Sequence, residues 1–163
     1  MPIQFNNYSM QVMAKIEQAS IAFLHEAAHE VTSQVKRNTA VGKVAGGDTK
    51  NSWKNNVDNS ALKAVIGSPL ENAIWEELGT GEYAANGNGR QGGWYVLIGN
   101  GTGQMPQQVV DAYGFPVKYG KDGKRFAYVT GKKPKRPLEK AYTKLKPKLI
   151  RRAGQILKEK LQQ

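Results

Sequence analysis

The sequence contains no cysteine and only two histidines, and these absences exclude several kinds of chemistry. Without thiols the chain cannot form disulfides, thiolate zinc sites, iron–sulfur clusters or a cysteine nucleophile. No apolar run approaches the roughly 20 residues that a membrane helix needs. The N-terminus also lacks the basic-then-apolar pattern of a secretory signal. We therefore expect neither membrane insertion nor secretion by the usual route.

Acidic residues are scarce as well, and the excess of positive charge is concentrated at one end of the chain. Residues 131–163 hold 12 of the 24 Lys and Arg but only two of the 13 Asp and Glu, so they carry +10 of the formal net charge of +11. This segregation predicts an anionic partner for the C-terminal segment, either a nucleic acid or an acidic protein surface.

The 163 residues, 39% of them hydrophobic, suffice for a single folded domain over residues 1–163. Apolar periodicity and turn residues predict an α+β fold, in which a small antiparallel sheet of four to five strands is packed on one face by helices, including the basic C-terminal one. The predicted elements are a helix at 9–38, a hairpin at 52–58 and 62–67, a short helix from a capping box at 68–71 to residue 78, a strand at 94–98, a hairpin at 115–119 and 125–130, and a C-terminal helix from about residue 137.

The positions of glycine and proline predict further details of the backbone. Residues 79–93 and 99–113 are glycine-rich or lack periodicity, so we expect long irregular loops there. Pro147 lies inside the C-terminal helix and is expected to kink or split it, because proline lacks an N–H and crowds a carbonyl of the preceding turn.

Residues 87–92 match G-x-G-x-x-G, but a loop precedes them and a strand follows. That context favours a flexible glycine loop over a dinucleotide site.

One string on the first predicted helix has the form H-E-x-x-H. His25 and His29 lie four residues apart, so both imidazoles could bind zinc on one helix face, with Glu26 as general base. No third histidine exists, and a third ligand would have to be a carboxylate such as Glu71, Glu76 or Glu77. The alternative is a polar flank of an amphipathic helix. A zinc metallohydrolase using His25, Glu26 and His29 is therefore one hypothesis for function.

The basic C-terminal segment supports a second hypothesis, a protein that binds nucleic acid without sequence specificity. Lysine and arginine contacts to phosphates supply affinity but carry no sequence information. A solvated helix face that keeps the protein soluble, or a contact with an acidic protein, would use the same charges. The candidate residues are Lys132, Lys133, Lys135, Arg136, Lys140, Lys144, Lys148, Arg151 and Arg152.

Three segments, taken in order, resemble the phage head–tail joining or tail-completion (neck) family, typified by the gene-product-ten-like tail component of lambdoid, HK-type siphophages. Residues 48–53 (DTKNSW) resemble its Thr-Gly-x-Leu-x-x-Ser entry to the first hairpin, although Lys50 stands at the usual glycine. Residues 73–81 (AIWEELGTG) resemble its Tyr-x-x-Glu-Phe-Gly-Thr segment, with Glu77 at the acidic position. Residues 136–141 (RPLEKA) resemble the Pro-Phe-Leu-x-x-Ala start of its last helix, with Leu138 directly after proline.

The resemblance implies a virion structural protein that is not an enzyme and needs no cofactor or metal. Copies would form a closed ring, expected to be a hexamer, at the top of the tail, after assembly in the host cytoplasm. Neighbours would be connector and tail-terminator or tail-tube proteins, with DNA passing through the lumen as a further contact. Besides the basic residues above, the expected interaction residues are Glu77, Gly79, Thr80, Gly81, Trp94 and Tyr95, on or beside the two long loops.

Overall fold

Two long helices run antiparallel along each other, α1 (Ser9–Asn38) and α5 (Pro137–Gln162). The computed structural model describes residues 7–44 and 46–162. The α+β class is confirmed. Between the long helices lie, in order, α2 (Asp48–Ser52), β1 (Lys54–Asp58), β2 (Lys63–Gly67), α3 (Glu71–Leu78), β3 (Thr80–Gly81), β4 (Trp94–Leu97), α4 (Gln107–Tyr113), β5 (Val117–Tyr119), β6 (Arg125–Val129) and β7 (Gly131–Lys132).

The strands form three small antiparallel sheets instead of the single predicted sheet of four to five strands. The β1–β2 hairpin stands alone, β3 pairs with β7, and the third sheet has the order β4-β6-β5. The local hairpins were predictable from their turn residues, but among the described residues no ladder of backbone hydrogen bonds joins the two hairpins. The basic helix α5 was expected to pack on a sheet face. It packs mainly on α1 instead, with a smaller contact to α3.

The core is narrow and lies where α1, α5, α3 and the start of β1 meet. Its buried residues are Val31, Val35, Trp53, Ala73, Ala141 and Leu145. Alanine at the helix contacts allows the backbones to approach closely. Val35 and Ala141 are fully buried. The chain's own elements therefore cover α1 from about Ala19 to its C-terminal end.

The apolar residues of the first two turns of α1 face solvent. Met10 is 83% exposed and Met13 is 69% exposed, and Ile16 is exposed too. Pairs between the long helices relate residue 26 to 152, 30 to 148 and 34 to 144, so α5 ends about level with residue 16 of α1. The first two turns of α1 therefore extend beyond the helix that covers the remainder of it.

Several sequence predictions need correction. The stretch 99–113 is not wholly irregular, because α4 occupies its second half between Pro106 and Gly114. The α5 helix continues through Pro147 as one element and is not split. Ser68 does not cap α3: its hydroxyl accepts the Leu70 N–H at 3.1 Å, and the helix begins after that turn.

Within the described residues, no helix combines the length and apolar character required to span a membrane.

Candidate functional site

The structure brings together two of the segments that carry the family resemblance, residues 73–81 and 136–141. Glu77, near the end of α3, accepts hydrogen bonds from the backbone N–H groups of Leu138 at 2.8 Å and Glu139 at 3.0 Å. The first N–H groups of a helix have no partner within it, and a carboxylate there also interacts favourably with the helix dipole. Glu77, predicted to contact another protein, thus caps α5 of its own chain.

The neighbouring carboxylate, Glu76, is buried, with 6% of its surface exposed. Lys132 donates a hydrogen bond to its Oε1, and the Lys135 ammonium lies 3.7 Å from Oε2, within ion-pair distance but too far for a hydrogen bond. The Glu76 carbonyl also accepts the N–H groups of Lys135 and Arg136. Two residues of the predicted basic partner surface therefore hold the chain that leads into α5.

Gly79, Thr80 and Gly81 also connect elements of this junction. Gly79 ends α3 with φ +72°, and Gly81 has φ +59°, in the left-handed region that favours glycine. Thr80 and Gly81 pair as β3 with β7, and the Thr80 hydroxyl accepts the Lys132 N–H at 3.0 Å. A side chain at Gly81 would overlap the Thr130 carbonyl oxygen. Residues 79–81 were expected to belong to a loop that contacts a partner, but Thr80 and Gly81 form a strand that pairs within the chain. We name Glu76, Glu77, residues 79–81 and residues 131–139 the α3–α5 junction.

The basic row of α5 faces an acidic and polar row of α1. Arg152 binds the Glu26 carboxylate at 2.9 Å, and Lys148 binds Glu30. Lys144 donates to the Gln34 side chain at 3.5 Å. These cations are therefore directed at the chain's own first helix. Their pairing fixes the register of the two helices more than it adds stability, since exposed ion pairs are individually weak.

Other basic residues of the segment point outward. Lys133 lies over the ring of Tyr83, 5.3 Å from its centre, and Arg136 pairs locally with Glu139 at 3.2 Å. Lys140 and Arg151 are exposed, and their side chains form no ion pair within the described part of the chain. The positive surface available to a partner is consequently smaller than the sequence suggests.

The two histidines and Glu26 of the H-E-x-x-H string are exposed on α1, and the Glu26 carboxylate is already bound. His25 Nε2 is 3.0 Å from Asn59 Oδ1, and Glu26 accepts the Arg152 guanidinium. Within residues 7–44 and 46–162, no three His, Asp or Glu side chains are grouped so that they could hold a metal ion. The candidate third ligands Glu76 and Glu77 are both bound at the α3–α5 junction. The structure therefore offers this hypothesis no ligand set.

Trp94 and Tyr95 lie at the start of β4, on opposite faces of the three-stranded sheet. Tyr95 is exposed, its ring centre lies 5.2 Å from that of Tyr128, and the Lys118 ammonium lies 5.4 Å from the Tyr95 ring centre. Trp94 is half-buried, and Arg90 of the preceding glycine loop lies 5.5 Å from its ring centre. The G-x-G-x-x-G string leads into a strand, as expected, and not into a helix. Of this pair, Tyr95 is the residue available to a partner.

Comparison with known proteins finds no matching family model, no matching curated protein and no matching solved structure. The resemblance to the head–tail joining family therefore stays a prediction that depends on residues 48–53, 73–81 and 136–141.

Sequence reasoning missed the role of Glu76. The sequence shows that Ala73 and Glu76 are three residues apart, a spacing that places both on one face of a helix, and the structure buries that face. A carboxylate at such a position needs a cation nearby, since an isolated buried charge is costly. The basic run at 132–135 was the evident source of that cation, but the sequence does not show that the two segments meet.

We predict that Glu77→Ala lowers the free energy of unfolding by about 1–2 kcal/mol, because the first turn of α5 loses its acceptors. Glu77→Gln keeps one acceptor oxygen and should lose roughly half as much. Urea unfolding followed by circular dichroism measures both. Glu82→Ala is the matched control, since Glu82 is an exposed acid in the turn after β3. Equal midpoints for the Glu77→Ala and Glu82→Ala variants would contradict the capping role.

A second prediction concerns pH. The pKa of Glu26 is lowered below its ordinary value of 4.5, chiefly because Arg152 donates a hydrogen bond to the carboxylate; burial opposes this, and the charges of Arg152 and Lys148 add to it. A carboxyl whose pKa is lower in the folded state stabilises the fold above its unfolded-state pKa, and the contribution disappears as the pH falls through the folded-state value.

A double-mutant cycle of Glu26→Gln and Arg152→Gln, measured by urea unfolding, should therefore give a constant coupling energy well above pH 4.5 and a vanishing one in acid. The pair Gln34 and Lys144 joins the same two helices without a carboxyl. Its coupling should not change between neutral and acidic solution, and a parallel decline in both cycles would refute the assignment to Glu26.

Proposed function

We propose that this protein is a phage virion component that assembles with copies of itself into a ring at the junction of head and tail. In this proposal it acts as a tail-completion or head–tail joining protein and contacts connector and tail-terminator or tail-tube proteins. It acts by binding and bridging and not by catalysis. The proposed identity rests on the segments that resemble the neck family, and the surface of the folded chain supports the proposal of self-assembly.

The observation that carries the proposal is the large surface that the chain leaves accessible. Its accessible surface area is 11503 Å², whereas a compact monomer of its mass exposes about 8,000 Å². The eight residues outside the described ranges add at most about 1,300 Å² even when fully exposed. An excess of roughly 2,000 Å² therefore belongs to the described fold. A stable interface uses about 800 Å² per partner, so the area suits a ring subunit with two faces.

The character of that surface also favours assembly. Large apolar side chains are exposed on several elements, among them Met10 and Met13 of α1, Ile74 and Trp75 of α3, and Ile150 of α5. Contiguous apolar patches on a protein surface mark contacts with other macromolecules. A subunit bound on two sides would cover patches that face in different directions.

The internal ion pairs support a protein neighbour more than DNA as the main partner. Five of the nine basic residues predicted to meet a partner, Lys132, Lys135, Arg136, Lys148 and Arg152, form ion pairs with acids of their own chain. Cations that are already paired release fewer counterions from DNA when it binds. The proposal therefore assigns the outward residues Lys140 and Arg151 to an acidic neighbouring surface.

We expect sedimentation velocity over a wide range of protein concentration to show reversible growth from monomer to a ring-sized complex, visible as rings by negative-stain electron microscopy. Binding to labelled duplex DNA, titrated against salt, is expected to be weak at physiological ionic strength. A monomer at every concentration that also fails to join tails lacking this protein would contradict the proposal. So would nanomolar DNA binding with a steep salt dependence, which favours the nucleic-acid hypothesis.

A further inference from the structure

An open apolar groove lies where α1, β2 and α5 meet. Its volume is about 470 Å³, within the range of sites that hold several apolar groups. A second depression of about 290 Å³ shares Ile66, Glu77 and Leu138 with it, so the two are continuous along β2. Further apolar lining residues of the first depression are Ala27, Ala28, Val31, Ala64 and Leu149. We call the two depressions together the apolar groove.

The β2 strand forms one wall of this groove, and its outer edge is unpaired. β2 pairs with β1 alone, and no residue of β1 lines the groove, so the other edge of β2 borders it. Within the described residues, no backbone hydrogen bond outside the hairpin involves residues 63–67. Such an edge presents free N–H and C=O groups with which an additional strand can pair. The groove therefore suits an extended peptide whose backbone pairs with β2 and whose apolar side chains enter the groove.

Residues 1–6, which precede the described part of the chain, have the sequence pattern of such a peptide. Ile3 and Phe5 alternate with Gln4 and Asn6, as in a strand with one apolar and one polar face. Six extended residues cover about 20 Å, and the five residues of β2 cover about 16 Å, so the two lengths match.

The charges of the groove also favour this segment. The two acids in the lining are already bound, because Glu77 accepts N–H groups of α5 and Glu139 pairs with Arg136. The remainder of the lining is mostly apolar and offers no free charge to a charged peptide. Residues 1–6 contain no charged side chain, so the groove can hold them without burying an unpaired charge.

The segment cannot reach the groove of its own chain. Tyr8 caps α1, since Val12 donates a hydrogen bond to its carbonyl, and the groove begins at Ala27 of the same continuous helix. Tyr8 and Ala27 are separated by about 28 Å along the helix axis. The seven residues before Tyr8 reach at most about 25 Å when fully extended. Contact between this segment and the groove therefore requires a second molecule.

We infer that residues 1–6 of one copy add as a strand to β2 of the next copy, with Ile3 and Phe5 in its apolar groove. The inference rests on the proposed self-assembly and specifies the surfaces that carry it. Each copy gives one segment and offers one groove, so the contact joins two different surfaces and can repeat around a ring. The exposed first turns of α1 follow directly on the segment, which places them beside the neighbouring copy.

Disulfide trapping tests the contact, because the natural sequence has no cysteine. In a Phe5→Cys, Ala64→Cys double variant, mild oxidation should yield a ladder of covalent multimers on a non-reducing gel. Each single variant should remain monomeric, and a mixture of the two single variants should give covalent dimers and nothing larger. A Phe5→Cys, Val65→Cys variant is the matched control, which should give no ladder, since Val65 is exposed on the opposite face of β2.

A charge substitution provides a second measurement that does not depend on oxidation. Phe5→Asp places a carboxylate in the apolar groove and should weaken association, measured by sedimentation, at least about tenfold. Gln4→Asp adds the same charge on the other face of the segment and should leave association unchanged. Circular dichroism and thermal unfolding of both variants should match the natural protein.

The outcomes separate this inference from the proposed function. Covalent dimers from Phe5→Cys alone would show that two segments pair with each other, and dimers without larger products from the double variant would show a reciprocal exchange. Either result would overturn the inference, as would equal weakening by Phe5→Asp and Gln4→Asp. Assembly of the natural chain in sedimentation, together with no ladder from the double variant, would overturn it while self-assembly stands. A natural chain that stays monomeric throughout would overturn both.

Discussion

The antiparallel packing of α1 against α5 is the interaction on which the rest of this structure depends. It buries Val35 and Ala141 and aligns the row of Glu26, Glu30 and Gln34 with the basic row of α5. Several of the smaller elements pack directly on this pair. The β1–β2 hairpin packs on α1, while α3 packs on α5 and caps its first turn through Glu77.

This arrangement leaves apolar side chains exposed to water, which is unfavourable for the single chain but makes the same side chains available for binding. A small core formed by α1, α5, α3 and the β1–β2 hairpin cannot cover all the apolar side chains that the helices carry. The stripe of α1 continues past the end of α5, and the resulting exposed residues are continuous with those buried further along. Such a subunit gains by binding others, since apolar burial is the dominant favourable term in association. The basic charge of α5 is partly neutralised by acids of α1, and these pairs set the register of the two helices.

The sequence predicted those elements whose signals are local. The long helices and both hairpins follow from apolar periodicity and turn residues. The α4 helix was missed although Pro106 before it and Gly114 after it are the usual start and stop residues, because its seven residues are too few for a clear period. The division into three sheets and the junction between α3 and α5 were not predictable. Glu77 and Leu138 are 61 residues apart, and no local pattern indicates that a carboxylate on one helix will cap another.

The central claim is that other copies of the chain bury the part of α1 that its own fold leaves exposed. Amide hydrogen exchange of the first turns of α1, compared between dilute and concentrated protein, tests it most directly, because these turns lack tertiary packing in the monomer. The account predicts rapid exchange around Met10 and Met13 when dilute and strong protection when concentrated, with the amides around Val35 protected in both. Rapid exchange of the first turns at every concentration at which the protein assembles would contradict it.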